Sequence, residues 1–157
     1  MNGARGTAAL VGAVLAALMP VGALACGSSP QAAFGTFIAA FNSLDWPTLR
    51  SCLADSVSLF GPANPGAVSL HRLDGRAAVE RSFRAVFDAA SADGAEPRGP
   101  DIRPQNVLLQ QISGAALVTF EFERAEHSFG RRSILFSKQG GTWRIVHIHA
   151  SNVTESP

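Results

Sequence analysis

Tyrosine is absent from this 157-residue chain, and lysine occurs once, at Lys138. No phenol hydroxyl is therefore available as an acid or an oxyanion donor. Charge of either sign is scarce and almost balanced, with 13 basic and 12 acidic residues. With no basic run and no net charge to speak of, neither nucleic acid nor an anionic membrane is expected as the main partner. Nucleotide-binding glycine loops, nucleophile elbows and metal fingers are missing as well, so no cofactor and no bound metal are expected. There are only two cysteines, Cys26 and Cys52.

The chain has one long apolar run, residues 10–24, and Pro20 interrupts it. Arg5 precedes it and Ala23-Leu24-Ala25 follows the small-x-small pattern of a cleavage site. The run is short for a membrane span, and the arrangement reads as a signal peptide over residues 1–25. Secretion or a periplasmic location is expected, with 132 residues left to form one domain around a real core. Cys26 then stands directly after the cleavage site, ahead of a short tether over residues 26–30. Two readings stay open for it. In an oxidising compartment it can pair with Cys52, or it can carry a lipid anchor, the single route by which a membrane would become a partner. Ala23 stands where bacterial lipoprotein signals usually carry leucine.

Hydrophobic spacing gives the elements. Ser29-Pro30 makes a helix entry, and Phe34, Phe37, Ile38, Phe41 and Leu44 form one apolar stripe at helical spacing. Asp45-Trp46-Pro47 caps a second, shorter helix carrying Leu49, Cys52 and Leu53. A strand over residues 56–60 stops at Gly61-Pro62. A third helix over residues 76–90 carries Val79, Phe83, Val86 and Phe87 on one side. Strands are expected over residues 105–112, 115–124 and 131–138, and a last one from Trp143. Gln139-Gly140-Gly141-Thr142 joins the final two as a tight hairpin. The order α-α-β-α-β-β-β-β, helices first and antiparallel strands afterwards, implies an α+β fold with helices on one face of a curved sheet.

Uninterrupted alternation in the last strand places Trp143, Ile145, His147, His149 and Ser151 on one face. A two-residue Gly-Gly turn sets Arg132 opposite His149, and a one-residue bulge sets Arg131 there instead. Either register yields a His-His-Arg group on one face, suited to a carboxylate or an enolate. The plainer reading makes the same residues structural or part of a subunit interface. His-x-His also offers two metal ligands, but nothing in the spacing fixes a third. Glu121 is the candidate general base. It alternates with Phe120 and Phe122, and it serves only if the aromatic set faces a partner and Glu121 faces the interior, where burial would raise its pKa. Trp46, Phe60 and Phe87 are candidates to line a cavity, and His71, beside Arg72, sits on a loop at its rim.

The element order resembles the nuclear transport factor 2-like superfamily, cone-shaped domains in which three helices close over a bent sheet. Ser43-Leu44-Asp45-Trp46, Leu53-Ala54-Asp55-Ser56-Val57, Asp74-Gly75-Arg76-Ala77-Ala78-Val79 and Gly130-Arg131-Arg132 match its turns and element starts. The ending Trp143-Arg144-Ile145-Val146-His147-Ile148-His149-Ala150-Ser151 looks like that of the SnoaL-like branch and of the calmodulin-dependent kinase II association domain. The resemblance covers residues 31–152, leaving 153–157 as a tail. It implies a cone-shaped pocket for a small organic ligand and a homodimer formed through the outer sheet face. It also marks departures. Ketosteroid isomerases of this fold carry an aspartate before the proline that ends the first strand, where this chain has Gly61, and a tyrosine on the first helix. The kinase domain has an arginine where Ala150 stands. The resemblance thus implies a secreted ligand-binding domain, with a non-catalytic oligomerisation module and an isomerase or cyclase using Glu121 as the alternatives. Whether the chain is an enzyme stays open at this stage.

Overall fold

The computed structural model describes residues 26–62, 71–91, 99–125 and 128–154. The leader expected over residues 1–25 and the loop at Asn64-Pro65-Gly66 lie outside them. Helix α1 spans Pro30–Asn42, entered as the sequence suggests: the Ser29 side chain accepts from the Ala32 N–H, and proline fills the first turn. Helix α2, Trp46–Ser51, is capped in the same manner by Asp45, whose carboxylate accepts from the Thr48 N–H at 3.2 Å. Leu44 lies beyond α1 in a left-handed conformation, with φ of 57°. It closes the turn between the helices, so the stripe is one member shorter than its spacing suggests.

Strand β1 is Leu53–Phe60 and starts earlier than the sequence implies, because Leu53 belongs to it and not to α2. Sheet pairing decides this: the Ile145 N–H donates to the Cys52 carbonyl at 2.7 Å, and Leu53 lies opposite Ile145. A two-residue strand, β2 (Leu73–Asp74), follows and pairs antiparallel with β1. Helix α3 is Arg76–Ser91. Strands β3 (Gln105–Ile112), β4 (Ala115–Ala125), β5 (Ser128–Gln139) and β6 (Thr142–Thr154) complete the chain. They form one curved, unclosed sheet in the order β2-β1-β6-β5-β4-β3, antiparallel except where β1 meets β6. Gly140 and Gly141 both have positive φ, as a two-residue hairpin turn between twisted strands requires.

The core lies between the helices and the inner face of this sheet. Phe37 and Ala33 of α1, Val79, Phe83 and Phe87 of α3, and Val118, Phe120, Ile134, Phe136 and Ile145 of the sheet are all buried. Cys26 and Cys52 form a disulfide with Cα atoms 4.6 Å apart, within the usual bridging range. It ties the segment before α1 to the end of α2, and the Trp143 N–H donates to the Gly27 carbonyl at 2.9 Å. A lipid thioether needs the same Cys26 sulfur, so the bridged and the anchored forms exclude each other.

The last strand departs from simple alternation. Gln139 pairs with Thr142 and Phe136 with Ile145, but Leu135 pairs with His147, so β6 carries an extra residue at Val146. This bulge shifts the phase. Trp143 and Ile145 before it, and Ile148 and Ala150 after it, all point to the core. His147 and His149 therefore leave the face of Trp143 and Ile145 and stand on the outer side of the sheet. Both expected registers are corrected as well: Ser133 lies opposite His149, Arg132 opposite Ala150, and Arg131 opposite Ser151.

Candidate functional site

Two concave regions lie back to back on the sheet. The first is the cone itself, a cavity of about 290 Å³. Phe37, Ile38 and Phe41 of α1 and Phe83 and Val86 of α3 form its roof, and Leu59, Phe120, Ile134 and Ile148 form its floor. A bidentate clamp shapes its mouth. The Asn42 amide donates to the Ile102 carbonyl and accepts from the Ile102 N–H, each at 2.8 Å, which holds the segment before β3 against the end of α1. Gly99 touches the same helix end, and any side chain there would collide with the Asn42 carbonyl. Gly61 and Pro62 also line the cone. The position that carries a carboxylate base in ketosteroid isomerases is thus at the cavity wall, but here it bears no side chain.

Polar side chains in the cone are few: Ser82, Arg124 and Arg132, with no carboxylate or imidazole among the described lining residues. Arg132 continues the inward alternation of Phe136 and Ile134. Its guanidinium stacks over the Phe122 ring at 4.9 Å, and Phe122 lies flat because the residue opposite it is Gly130, where a Cβ would meet the ring. Its Nη1 donates to the Arg131 and Ser151 carbonyls at 2.8 and 2.7 Å, and Nη2 donates to Asn152 Oδ1 at 3.4 Å. Burial, and then the charge of Arg124, push the Arg132 pKa down to about 10. It remains a cation at neutral pH.

The second region is an open groove of about 350 Å³ on the outer face, lined by Asn106, Thr119, Phe120, Glu121, Arg131, Arg132, Ser133, His149 and Ser151, so that Arg132 borders both regions. Glu121 stands here and not in the cone, because Val118, Phe120 and Phe122 take the buried side of β4. It accepts a short hydrogen bond from the Asn106 side-chain amide and sits opposite Arg131 in the strand register. His149 is two strands and two residues away, about 12 Å by strand spacing, too far for direct proton transfer. The base reading required Glu121 to face the interior, and it stands on the outer face instead. His147 shares a hydrogen bond with Ser58 Oγ through Nδ1 at 2.9 Å. Burial, then the charge of His149, then that of Arg72, hold His147 below the ordinary imidazole range.

The remaining candidates separate. Phe60 is 41% exposed on the outer face, with its ring 6.0 Å from that of His147 and 5.9 Å from that of His149. Trp46 packs between α2 and α3, edge-on to Phe87 and under the Arg84 guanidinium at 4.1 Å. Phe87 fills the core between Phe41 and Trp46. Neither ring lines the cone. His71 is exposed ahead of β2 and belongs to neither cavity lining. The group Arg131, His149 and Glu121 thus shares the outer groove, Arg132 borders both the groove and the cone, and Arg124 lines the cone. Alternation carried the signal for both arginines, since Phe120, Phe122 and Arg124 run in step, as do Phe136, Ile134 and Arg132. Among the described residues, no group of three His, Cys, Asp or Glu side chains is placed to hold a metal.

A conical cavity between three helices and a bent sheet, over this order of elements, defines the nuclear transport factor 2-like class. The chain belongs to the SnoaL-like domain family, whose pattern it matches over residues 31–155. Solved structures agree on the fold. It is similar to a candidate calcium/calmodulin-dependent protein kinase type II association domain from Thiobacillus denitrificans, at 23% identity, covering 80% of this chain and 96% of that one, with a TM-score of 0.59. A candidate ketosteroid isomerase from Parabacteroides distasonis matches at 14% identity over 79% and 87% of the two chains, with a TM-score of 0.58. A protein with a cystatin-like fold from Caulobacter vibrioides matches at 16% identity over 79% and 87%, with a TM-score of 0.62. A search among curated proteins gives no significant match.

Proposed function

We propose that this SnoaL-like domain is a secreted binding domain that takes a small organic molecule into its cone. One observation carries the reading: the cone is an apolar cavity of about 290 Å³ with a few polar groups at defined points, the usual make-up of a small-molecule site. Binding is favoured over proton abstraction. A base must stand within hydrogen-bond reach of the proton it removes, and among the described residues the cone wall offers none, with glycine at the family's carboxylate position. Glu121 belongs to the other face of the sheet. Secretion rests on the leader pattern of residues 1–25 and on the disulfide, which needs an oxidising compartment.

A thermal-shift screen of the chain against a few hundred carboxylates, sterols and fused-ring aromatics tests the reading. A ligand at a hundred times its dissociation constant adds about 2.7 kcal/mol. Hits should vanish in Ala150→Phe, which fills the cone from β6, and persist in His149→Ala. The reverse pattern would move the site to the outer groove.

A second reading has its own observation. The outer face exposes Leu108 at 53%, Ile112 at 78% and Phe60 at 41%, and apolar side chains spread over one sheet face suit a partner surface. We take a homodimer through this face to accompany ligand binding. A flat ligand screen together with a stable dimer would reduce the domain to an oligomerisation module.

A further inference from the structure

We infer that two copies of this chain join along strand β3, pairing antiparallel about Gln110 so that the two sheets become one. The inference rests on the homodimer reading and adds where and how the copies meet. A sheet edge presents unpaired N–H and C=O groups, and proteins guard such edges with short strands, charges, proline or a bulge. The two edges of this sheet differ in that respect. At one edge β2 is two residues long, and its Asp74 holds Arg72 in a bidentate ion pair at 2.7 and 3.2 Å. At the other edge β3 runs for eight residues, with β4 as its one neighbour in the sheet. No charged residue occurs from Pro104 to Phe120, and no proline falls within Gln105–Ile112. Of the five exposed large apolar side chains among the described residues, three lie on this strand: Val107, Leu108 and Ile112.

The phase of the hairpin tells which main-chain groups are open. Ser113 and Gly114 both have positive φ, as in a two-residue turn whose flanking residues, Ile112 and Ala115, form a hydrogen-bonded pair. Alternation then directs the main-chain groups of Leu108, Gln110 and Ile112 to β4, and those of Leu109 and Gln111 to the open edge. The regular stretch is bounded by a register shift between Gln105 and Leu108 and by the turn after Ile112. A second copy fits it. With a two-fold axis at Gln110, Leu109 of each copy exchanges main-chain hydrogen bonds with Gln111 of the other. On the outer face Leu108 then lies opposite Ile112 of the second copy, so the two most exposed apolar side chains cover each other. Gln110 meets its own counterpart, and an amide supplies both donor and acceptor. An uncharged strand brings no like charges together. Pairing also closes on itself: the edge left over is the guarded β2, so the product is a dimer and not a fibre. The interface is small for a specific contact, and the dimer should dissociate on dilution.

The test is sedimentation equilibrium of the full-length, disulfide-bonded chain over a wide range of concentration, where the mass should rise from that of one chain to that of two. Gln111→Pro removes a donor from the open edge and leaves the ladder to β4 intact. It should stay monomeric with an unchanged circular dichroism spectrum. Gln110→Cys gives a readout that does not depend on that variant folding. It sets two thiols at a non-hydrogen-bonded pair, where Cα atoms lie about 4.5 Å apart, within disulfide reach. Mild oxidation should join two chains through residue 110, seen by peptide mass spectrometry, and Leu108→Cys should give no such self-link. A dimer that survives Gln111→Pro and forms no link in Gln110→Cys would overturn the edge pairing and leave a dimer joined face to face. A single-chain mass at every concentration would remove the homodimer reading and this inference with it.

Discussion

The inner and outer faces of one sheet carry different chemistry on alternating residues of the same strands. On β4, Val118, Phe120 and Phe122 face the helices, while Thr119 and Glu121 face out. On β5, Ile134 and Phe136 face in, while Arg131 and Ser133 face out. The inner face borders an apolar cavity with Arg124 and Arg132 in its lining, and the outer face is an open polar groove flanked by exposed Leu108, Ile112 and Phe60. Burial makes the difference functional. On the inner side Phe120, Ile134 and Phe136 are buried around a cavity, whereas Arg131 and His149 in the groove are exposed.

The largest effect expected from breaking this contrast is in packing. Phe136→Ala, at a fully buried inner position, should cost about 3–5 kcal/mol, and Phe60→Ala on the outer face less than about 1 kcal/mol; urea unfolding of both variants measures the pair. Next comes the disulfide. Cys52→Ala opens a loop between residues 26 apart in sequence and should lower stability by about 3 kcal/mol, seen in the same titration. Both inner changes should also weaken ligand binding, and Phe60→Ala should not.

Outer-face changes should act on assembly. Leu108→Asp should halve the mass measured by sedimentation equilibrium, at a folding cost within about 0.5 kcal/mol. The smallest effect concerns His147. Its native pKa lies below the unfolded value of about 6.5, so between the two the unfolded chain binds more protons and stability rises with pH. The contribution is complete above about pH 6.5 and is lost as pH falls through the native value. Melting curves at pH 7.5 and pH 5 should therefore show a smaller acid-induced drop in His147→Gln than in the parent.

Most of the architecture is legible from local chemistry. Capping at Ser29-Pro30 and Asp45, the stripes of α1 and α3, and the Gly140-Gly141 turn each specify their element by backbone rules that tertiary context leaves alone. The candidate site is less legible, because a single bulge reverses every side chain beyond it. The β-branched Val146 gives no turn-like signal. The clue lies in the wider pattern, where Trp143 and Ile145 are two apart, Ile148 and Ala150 are two apart, and three positions separate the pairs. Glu121 illustrates the other loss: which of two alternating sets faces the core depends on where the helices lie, and here the more apolar set wins. The two-residue strand Leu73–Asp74 has no pattern of its own, being too short to alternate, and exists because β1 offers it an edge.

The most direct test of the central claim, that ligand enters the cone and not the outer groove, is a titration of isoleucine-methyl-labelled chain with 1-naphthaleneacetate followed by NMR. Ile38, Ile102, Ile134 and Ile148 line the cone, and Ile112 lies exposed on the outer face. Ring-current shifts in the first four methyl signals, with Ile112 unmoved, are the predicted result. Movement of Ile112 while the cone methyls stay still would contradict the account.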